Sequence, residues 1–151
     1  GAAGHTNEAG EPQIVMVLAA TNFPWDLDEA LRRRLEKRVY IPLPGSEQAT
    51  DLLRLNLKSV VVSDDVDWEE LSKRTEGYSG DDLTNICRDA AMNGLRRKIA
   101  GKTPDEIKAF SASVPPVSMQ DLLEAIFRIS PSVAKVDIEK HEKWLVEFGS
   151  A

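Results

Sequence analysis

Ile14-Val15-Met16-Val17-Leu18-Ala19-Ala20 runs directly into Thr21-Asn22-Phe23-Pro24-Trp25, and Leu31-Arg32-Arg33-Arg34-Leu35-Glu36-Lys37-Arg38 follows closely. The opening run is apolar without alternation, the pattern of a parallel strand covered on both faces. In open α/β sheets the ligand crevice lies beyond the carboxyl ends of the strands, and the first polar side chains to emerge here are Thr21 and Asn22. A basic cluster so close to that tip points to an anionic ligand, and planar guanidinium groups suit phosphate.

Working outward, only one further segment, Arg38 to Ile41, reads as a strand, and everything from Ser46 onward reads as helix, turn or linker. Two strands do not make a stable sheet, so residues 14–45 read as the later part of a larger α/β domain whose earlier part is missing. Residues 1–13 are small and polar, a loop or an extraneous remnant, and lack the apolar and basic regions of a signal peptide. A length of 151 residues then accommodates a piece of one domain plus a second, small one.

Composition narrows the class. With 42% hydrophobic and 29% charged residues the chain is globular, and no apolar run approaches the roughly 20 residues of a membrane helix, so no membrane partner is expected. A formal charge of −6 argues against a nucleic-acid surface, which needs an extended positive face. Cys87, the single cysteine, falls at an apolar helical position; it cannot form an internal disulfide and fits a reducing compartment. His5 and His141 are far apart in sequence, which leaves little support for a metal or nucleophile enzyme.

The rest of the chain is punctuated by caps. After Pro42-Leu43-Pro44-Gly45, Ser46 opens a helix with Ala49, Leu52, Leu53 and Val60 at helical spacing. Asp67 with Glu70, and Ser79 with Asp82, have capping-box spacing. The second pair starts the best-defined helix, with Leu83, Ile86, Cys87, Ala90, Ala91 and Leu95 on one face and Gly101 ending its extension. Thr103-Pro104-Asp105-Glu106 predicts a short helix through Phe110. Ser111 to Val117, with Pro115-Pro116, reads as linker, and Ser118 caps a helix carrying Leu122, Ile126 and Ile129. A last helix from about Asp137 carries Ile138, His141, Leu145 and Phe148 on one stripe beside Trp144, so it must dock on something apolar.

Several segments are more specific than any pattern: Val17-Leu18-Ala19-Ala20-Thr21-Asn22, Leu27-Asp28-Glu29-Ala30-Leu31-Arg32-Arg33-Arg34, Arg38-Val39-Tyr40-Ile41-Pro42-Leu43-Pro44, and Gly77-Tyr78-Ser79-Gly80-Asp81-Asp82-Leu83. Together they resemble the second region of homology and the helical lid of AAA ATPases, over roughly residues 14 to 148. The ending from Lys140 to Gly149 resembles the C-terminal helix of the meiotic clade. Asn22-Phe23-Pro24-Trp25-Asp26 and Glu147-Phe148-Gly149-Ser150 are most similar to its katanin-type, microtubule-severing members; spastin, fidgetin and the ESCRT-disassembling type match less well.

The resemblance implies an α/β remnant of a P-loop AAA large domain (14–45) followed by an all-α helical lid domain (46–129) and a linker with a C-terminal helix (130–151). It implies that Asn22 is sensor 1, hydrogen-bonding the γ-phosphate or the attacking water, where the bland alternative is a turn-capping asparagine. Arg33 and Arg34 match finger positions acting in trans, on a helix that Asp26 and Glu29 can cap; the alternative is a solvated basic helix end, to which Lys37 and Arg38 are left, and Arg32 is ambiguous. Gly80 and Asp81 would approach adenine and ribose. Asn56 would contact adenine or simply be a solvated polar residue. Asp81 stands where a sensor-2 arginine would be sought, so none is expected.

The sequence contains no Gly-x-x-x-x-Gly-Lys-Ser/Thr loop and no apolar strand ending in Asp-Glu, so phosphate loop, magnesium site and pore loops are missing and the chain alone should not hydrolyse ATP. ATP and magnesium would belong to the full-length enzyme, with none bound tightly by these residues alone. The implied partners are further copies in a hexamer, microtubules or tubulin, and a regulatory subunit, in a cytoplasmic, cytoskeleton-associated setting. Residues 14–44 would expose an unpaired apolar strand edge and associate through it. The competing reading is a non-enzymatic helical interaction module in which the arginine triplet is surface.

Overall fold

The computed structural model describes residues 16–108 and 115–149. Among them the regular structure is a 3-10 turn, Pro24–Asp26, and seven α-helices. In chain order these are α1 (Glu29–Arg34), α2 (Ser46–Asn56), α3 (Trp68–Arg74), α4 (Gly80–Ile99), α5 (Pro104–Lys108), α6 (Met119–Arg128) and α7 (Lys135–Phe148). The long helix α4 is the axis: α2 packs on one side of it and α6 on another, while α3 leans on α2 and touches α6.

The core follows the helical stripes. Leu53 of α2, Leu71 of α3, Leu83 and Ile86 of α4 and Leu122 of α6 are fully buried. Cys87 belongs to the same core, and burial pushes its thiol up to about 12, so it stays protonated and inert. Tyr78 fills the joint between α3 and α4 and donates its hydroxyl to the Ile129 carbonyl at 2.9 Å, tying that joint to the end of α6. The turn into it uses Gly77, whose φ of +84° lies in the region that side chains disfavour.

The helix starts read from Asp67, Ser79 and Ser118 are the ones formed. Ser46, read as a cap, is instead the first residue of α2, and Gly45 precedes it with no side-chain cap bond. The Asp67 carboxylate accepts from the Glu69 and Glu70 amides at 3.0 Å. Ser79 with Asp82, and Ser118 with Asp121, form complete capping boxes. At α1 the cap is Asp28, which accepts from the Leu31 amide at 2.7 Å, rather than Asp26, which lies in the 3-10 turn. Helix α2 stops at Asn56, short of Val60, and α7 begins at Lys135. Phe110 and residues 111–114 fall outside the described residues. Val117, expected in a linker, is buried and pinned: it bridges Val62 in parallel, its amide donating to Val61 and its carbonyl accepting from Ser63, both at 2.9 Å. Gly94 admits this passage, since a Cβ there would sit 2.9 Å from Pro115 Cγ.

The two strands expected at 14–20 and 38–41 are not formed in the described residues, where the Val62–Val117 bridge is the only β contact. A strand exists through ladder bonds to neighbours, and here no ladder partner lies alongside. Met16, Leu18, Val39 and Ile41 are accordingly 85–94% exposed. Thus the sheet portion of the expected α/β remnant is irregular chain, and the regular structure is helical.

Three buried or half-buried aspartates couple this fold to pH. Burial raises each pKa, but hydrogen bonds overcome it: from Ser132 and Ser79 to Asp82, from Arg96 and Arg128 to Asp89, and from Arg97 and Ser118 to Asp121. All three carboxyls therefore sit below the ordinary range. Groups depressed in the folded state contribute stability in full above their unfolded pKa of about 3.9 and lose it as pH falls through the folded values. The urea unfolding midpoint is expected to stay flat from about pH 7 to 5 and to fall below about pH 4. Asp121→Asn should lower the neutral-pH stability by about 1–3 kcal/mol and make the acid fall shallower.

Candidate functional site

A cleft of about 650 Å³ opens between the loop following residue 20 and the start of α4, with Tyr40–Pro44 on one wall and α7 on the other. It brings Asn22 together with Gly80 and Asp81. On the Asn22 side the chain turns through Thr21, whose hydroxyl accepts from the Phe23 amide at 3.0 Å, and through the buried Pro24 of the 3-10 turn. Trp25 then stands against the His141 ring, centroids 4.8 Å apart at 69°, and Lys140 places its ammonium 3.8 Å from the Trp25 ring centroid.

On the facing side, Ser79 caps α4 and the Asp82 carboxylate is a junction. Its Oδ2 accepts from the Ser79 amide (2.9 Å), the Ser132 amide (3.0 Å) and the Ser132 hydroxyl (2.9 Å). Asp82 thus fixes the segment after α6 against the start of α4, which is what lets α7 line the cleft. Burial of the ring, with the charge of the same carboxylate added, pushes the Tyr78 phenol up. Asp81 is exposed and accepts weakly from Asn85 at 3.3 Å. A Cβ on Gly80 would meet Leu52 Cδ1 at 3.8 Å, an ordinary contact, so packing does not demand glycine there.

The other expected site residues lie elsewhere. Arg33 is exposed on α1 and ion-paired with Glu29 one turn back; Arg34 is exposed beside it. Neither lines the cleft. Asn56 is half-buried at the end of α2, donating to the Leu52 carbonyl at 2.9 Å. Arg32 and Arg38 have separate tasks: Arg32 lies 4.3 Å over the Phe148 ring, and Arg38 donates to the Arg32 carbonyl (2.7 Å) and to the Phe148 carbonyl. Arg38, expected as a solvated helix end, instead holds α1 and the end of α7 together. His141, Ser132 and Trp25 complete the site without having been singled out for it. The first had shown only as part of a stripe, and the link from Asp82 to Ser132 spans 50 residues and leaves no local pattern.

The cleft suits the nucleoside part of a nucleotide. Apolar Pro42, Leu43 and Ile138 flank exposed Asp81, whose carboxylate can accept from sugar hydroxyls. It does not suit phosphate at the α4 start, where Asp81 and Asp82 already occupy the positive end of the helix dipole. Among the described residues no cluster of three His, Cys, Asp or Glu could hold a metal ion.

Residues 65–109 match the AAA+ lid domain family, and residues 100–149 match the Vps4 C-terminal oligomerisation domain. Two solved structures of the FIGL-1 AAA domain, one in complex with ADP, superpose with TM-scores of 0.75 and 0.74 at 32% and 31% identity. They cover 86–87% of this chain, which in turn covers 43–44% of theirs. The chain is the C-terminal part of an AAA module.

Curated proteins similar to it include katanin p60 ATPase-containing subunits. The A1 form from Arabidopsis thaliana is 66% identical over 149 residues, 97% of this chain and 28% of that protein. The A-like 1 form from Danio rerio is 53% identical over 150 residues, 97% of this chain and 31% of that protein. A structure described as the structural basis for katanin self-assembly matches with a TM-score of 0.70 at 37% identity, over 82% of this chain and 44% of that one. The chain is therefore katanin-like and spans less than a third of the length of these curated relatives.

The Asp82 junction gives a direct check. Asp82→Ala should cost about 2–3 kcal/mol in urea unfolding. It should also raise amide exchange at Ser132 more than at Leu122, whose environment it leaves intact.

Proposed function

We propose that the chain is the C-terminal portion of a microtubule-severing, katanin-like AAA ATPase that hydrolyses ATP as a hexamer to extract tubulin. Residues 14–45 would be the end of its large domain, 46–129 its lid, and 130–151 the linker and C-terminal helix. The observation that carries this reading is the convergence of Asn22 with Gly80 and Asp81 on one cleft, from segments far apart in sequence. The identity to katanin subunits supports it.

In this reading Asn22, with an amide that both donates and accepts, orients the attacking water or the γ-phosphate at the open end of the cleft. Gly80 and Asp81 hold adenine and ribose, and Asn56 supports the adenine side. Magnesium in the complete enzyme would neutralise phosphate charge, with the phosphate loop and metal ligands coming from sequence outside these residues. Arg33 and Arg34 are exposed on α1 and stand off their own cleft, the arrangement a finger reaching a neighbouring subunit requires. The match of residues 100–149 to an oligomerisation domain supports assembly of copies. Microtubules, a regulatory subunit and a cytoplasmic, cytoskeletal location complete the assignment, and these 151 residues alone would be inactive and bind ATP weakly.

The pairing of Arg33 with Glu29 favours a second reading, in which α1 is ordinary surface and the chain is a helical interaction module. Mixing separates the two. Full-length protomers bearing Arg33→Ala, added to wild type, should depress ATPase activity more than dilution does, and the pure variant should lose on the order of 10³-fold. Activity proportional to wild-type content would remove the trans role.

A further inference from the structure

Helix α7 reaches the cleft through His141. The ring stacks on Tyr40, centroids 5.8 Å apart at 24°, and meets the edge of Trp25. Both ring nitrogens face main-chain carbonyls: Nδ1 lies 2.7 Å from the Asp137 oxygen and Nε2 2.9 Å from the Asn22 oxygen. A carbonyl only accepts, so both contacts are hydrogen bonds only when both nitrogens carry protons. The neutral ring satisfies one carbonyl and turns a lone pair on the other.

We propose that His141 is a positioning residue for Asn22, its Nε2 contact to the Asn22 carbonyl holding that main chain against α7 and so setting how the Asn22 amide faces the cleft. The proposal rests on the reading of Asn22 as the phosphate sensor. Three anchors make the arrangement specific. Thr21 braces the loop from the other side, accepting from the Phe23 amide. Tyr40 and Trp25 fix the plane and position of the imidazole. Asp82 holds Ser132 and with it the approach to α7. Because α7 lies within the region matching an oligomerisation domain, this contact makes phosphate sensing depend on how α7 is seated.

The test uses the full-length hexamer. His141→Phe keeps a ring between Trp25 and Tyr40 and removes both ring nitrogens; His141→Gln keeps a hydrogen-bonding side chain. For the Phe variant kcat should fall about tenfold to a hundredfold with KM for ATP unchanged, the loss expected of a misplaced group that does not bind substrate. Gln should recover part of kcat, and it serves for the same comparison if Phe prevents assembly. Asn22→Ala is measured alongside. If it is impaired while the His141 variants keep wild-type kcat, the positioning role is overturned. If Asn22→Ala has wild-type kcat, the sensor reading falls, and the role of His141 with it.

Discussion

The carboxylate of Asp82 is the constraint on which the cleft depends. It is buried, ionised and fully engaged: the Ser79 amide, the Ser132 amide and the Ser132 hydroxyl all donate to one oxygen. A carboxylate in that position is stable only while its donors are present, because an uncompensated buried charge is costly. That requirement locks the start of α4 to the chain entering α7, and everything on the α7 wall of the cleft inherits its place from it. Tyr78, immediately before the cap, adds a second tie to the same joint through the Ile129 carbonyl.

What α7 docks on is a row of aromatic and cationic pairs rather than a conventional apolar groove. None of its residues is fully buried, and it contacts the 3-10 turn and the Asn22 loop before it, α1, and Arg38 and Tyr40 beyond α1. Lys140 on Trp25 and Arg32 on Phe148 each set a cation over a half-buried ring, and His141 packs its ring between Trp25 and Tyr40. Such contacts contribute about 0.5–1 kcal/mol each where exposed and more where desolvated, so the docking is cumulative and no single pair dominates. The helix consequently spans both phosphate-facing elements of the proposed enzyme, the Asn22 loop at one end and α1 at the other.

The lid was legible because its signals are local. Ser79 with Asp82, and Ser118, announce helix starts locally, and the stripes through Leu83, Ile86 and Ala90 or Leu122, Ile126 and Ile129 announce the faces that pack on the core. Residues 14–20 and 38–41 carried an equally plain strand pattern, yet a strand needs hydrogen-bonding neighbours that local pattern cannot supply. Asn22, Gly80 and Asp81 could be nominated one by one from motif resemblance, and their meeting in one cleft had to come from tertiary structure. His141 and Ser132 were beyond reach, since each acts through a partner at least 50 residues away.

The arginine cluster shows how structure sorts residues that sequence presents as equals. Four arginines lie between residues 32 and 38 in an acidic chain, and a simple electrostatic argument would let any of them meet an anion. Packing withdraws two. Arg32 is laid over Phe148, and Arg38 bridges the Arg32 and Phe148 carbonyls, geometry that a rigid guanidinium fork makes and a lysine would not. Arg33 and Arg34 are left on the outer side of α1, and the pairing of Arg33 with Glu29 is exposed, within the helix and therefore weak, about 0.3–0.5 kcal/mol. An anion approaching α1 from outside can compete for Arg33 at little cost, whereas it could reach Arg32 only by undocking α7. The same helix thus anchors the C-terminal helix with one pair of arginines and offers the other pair outward.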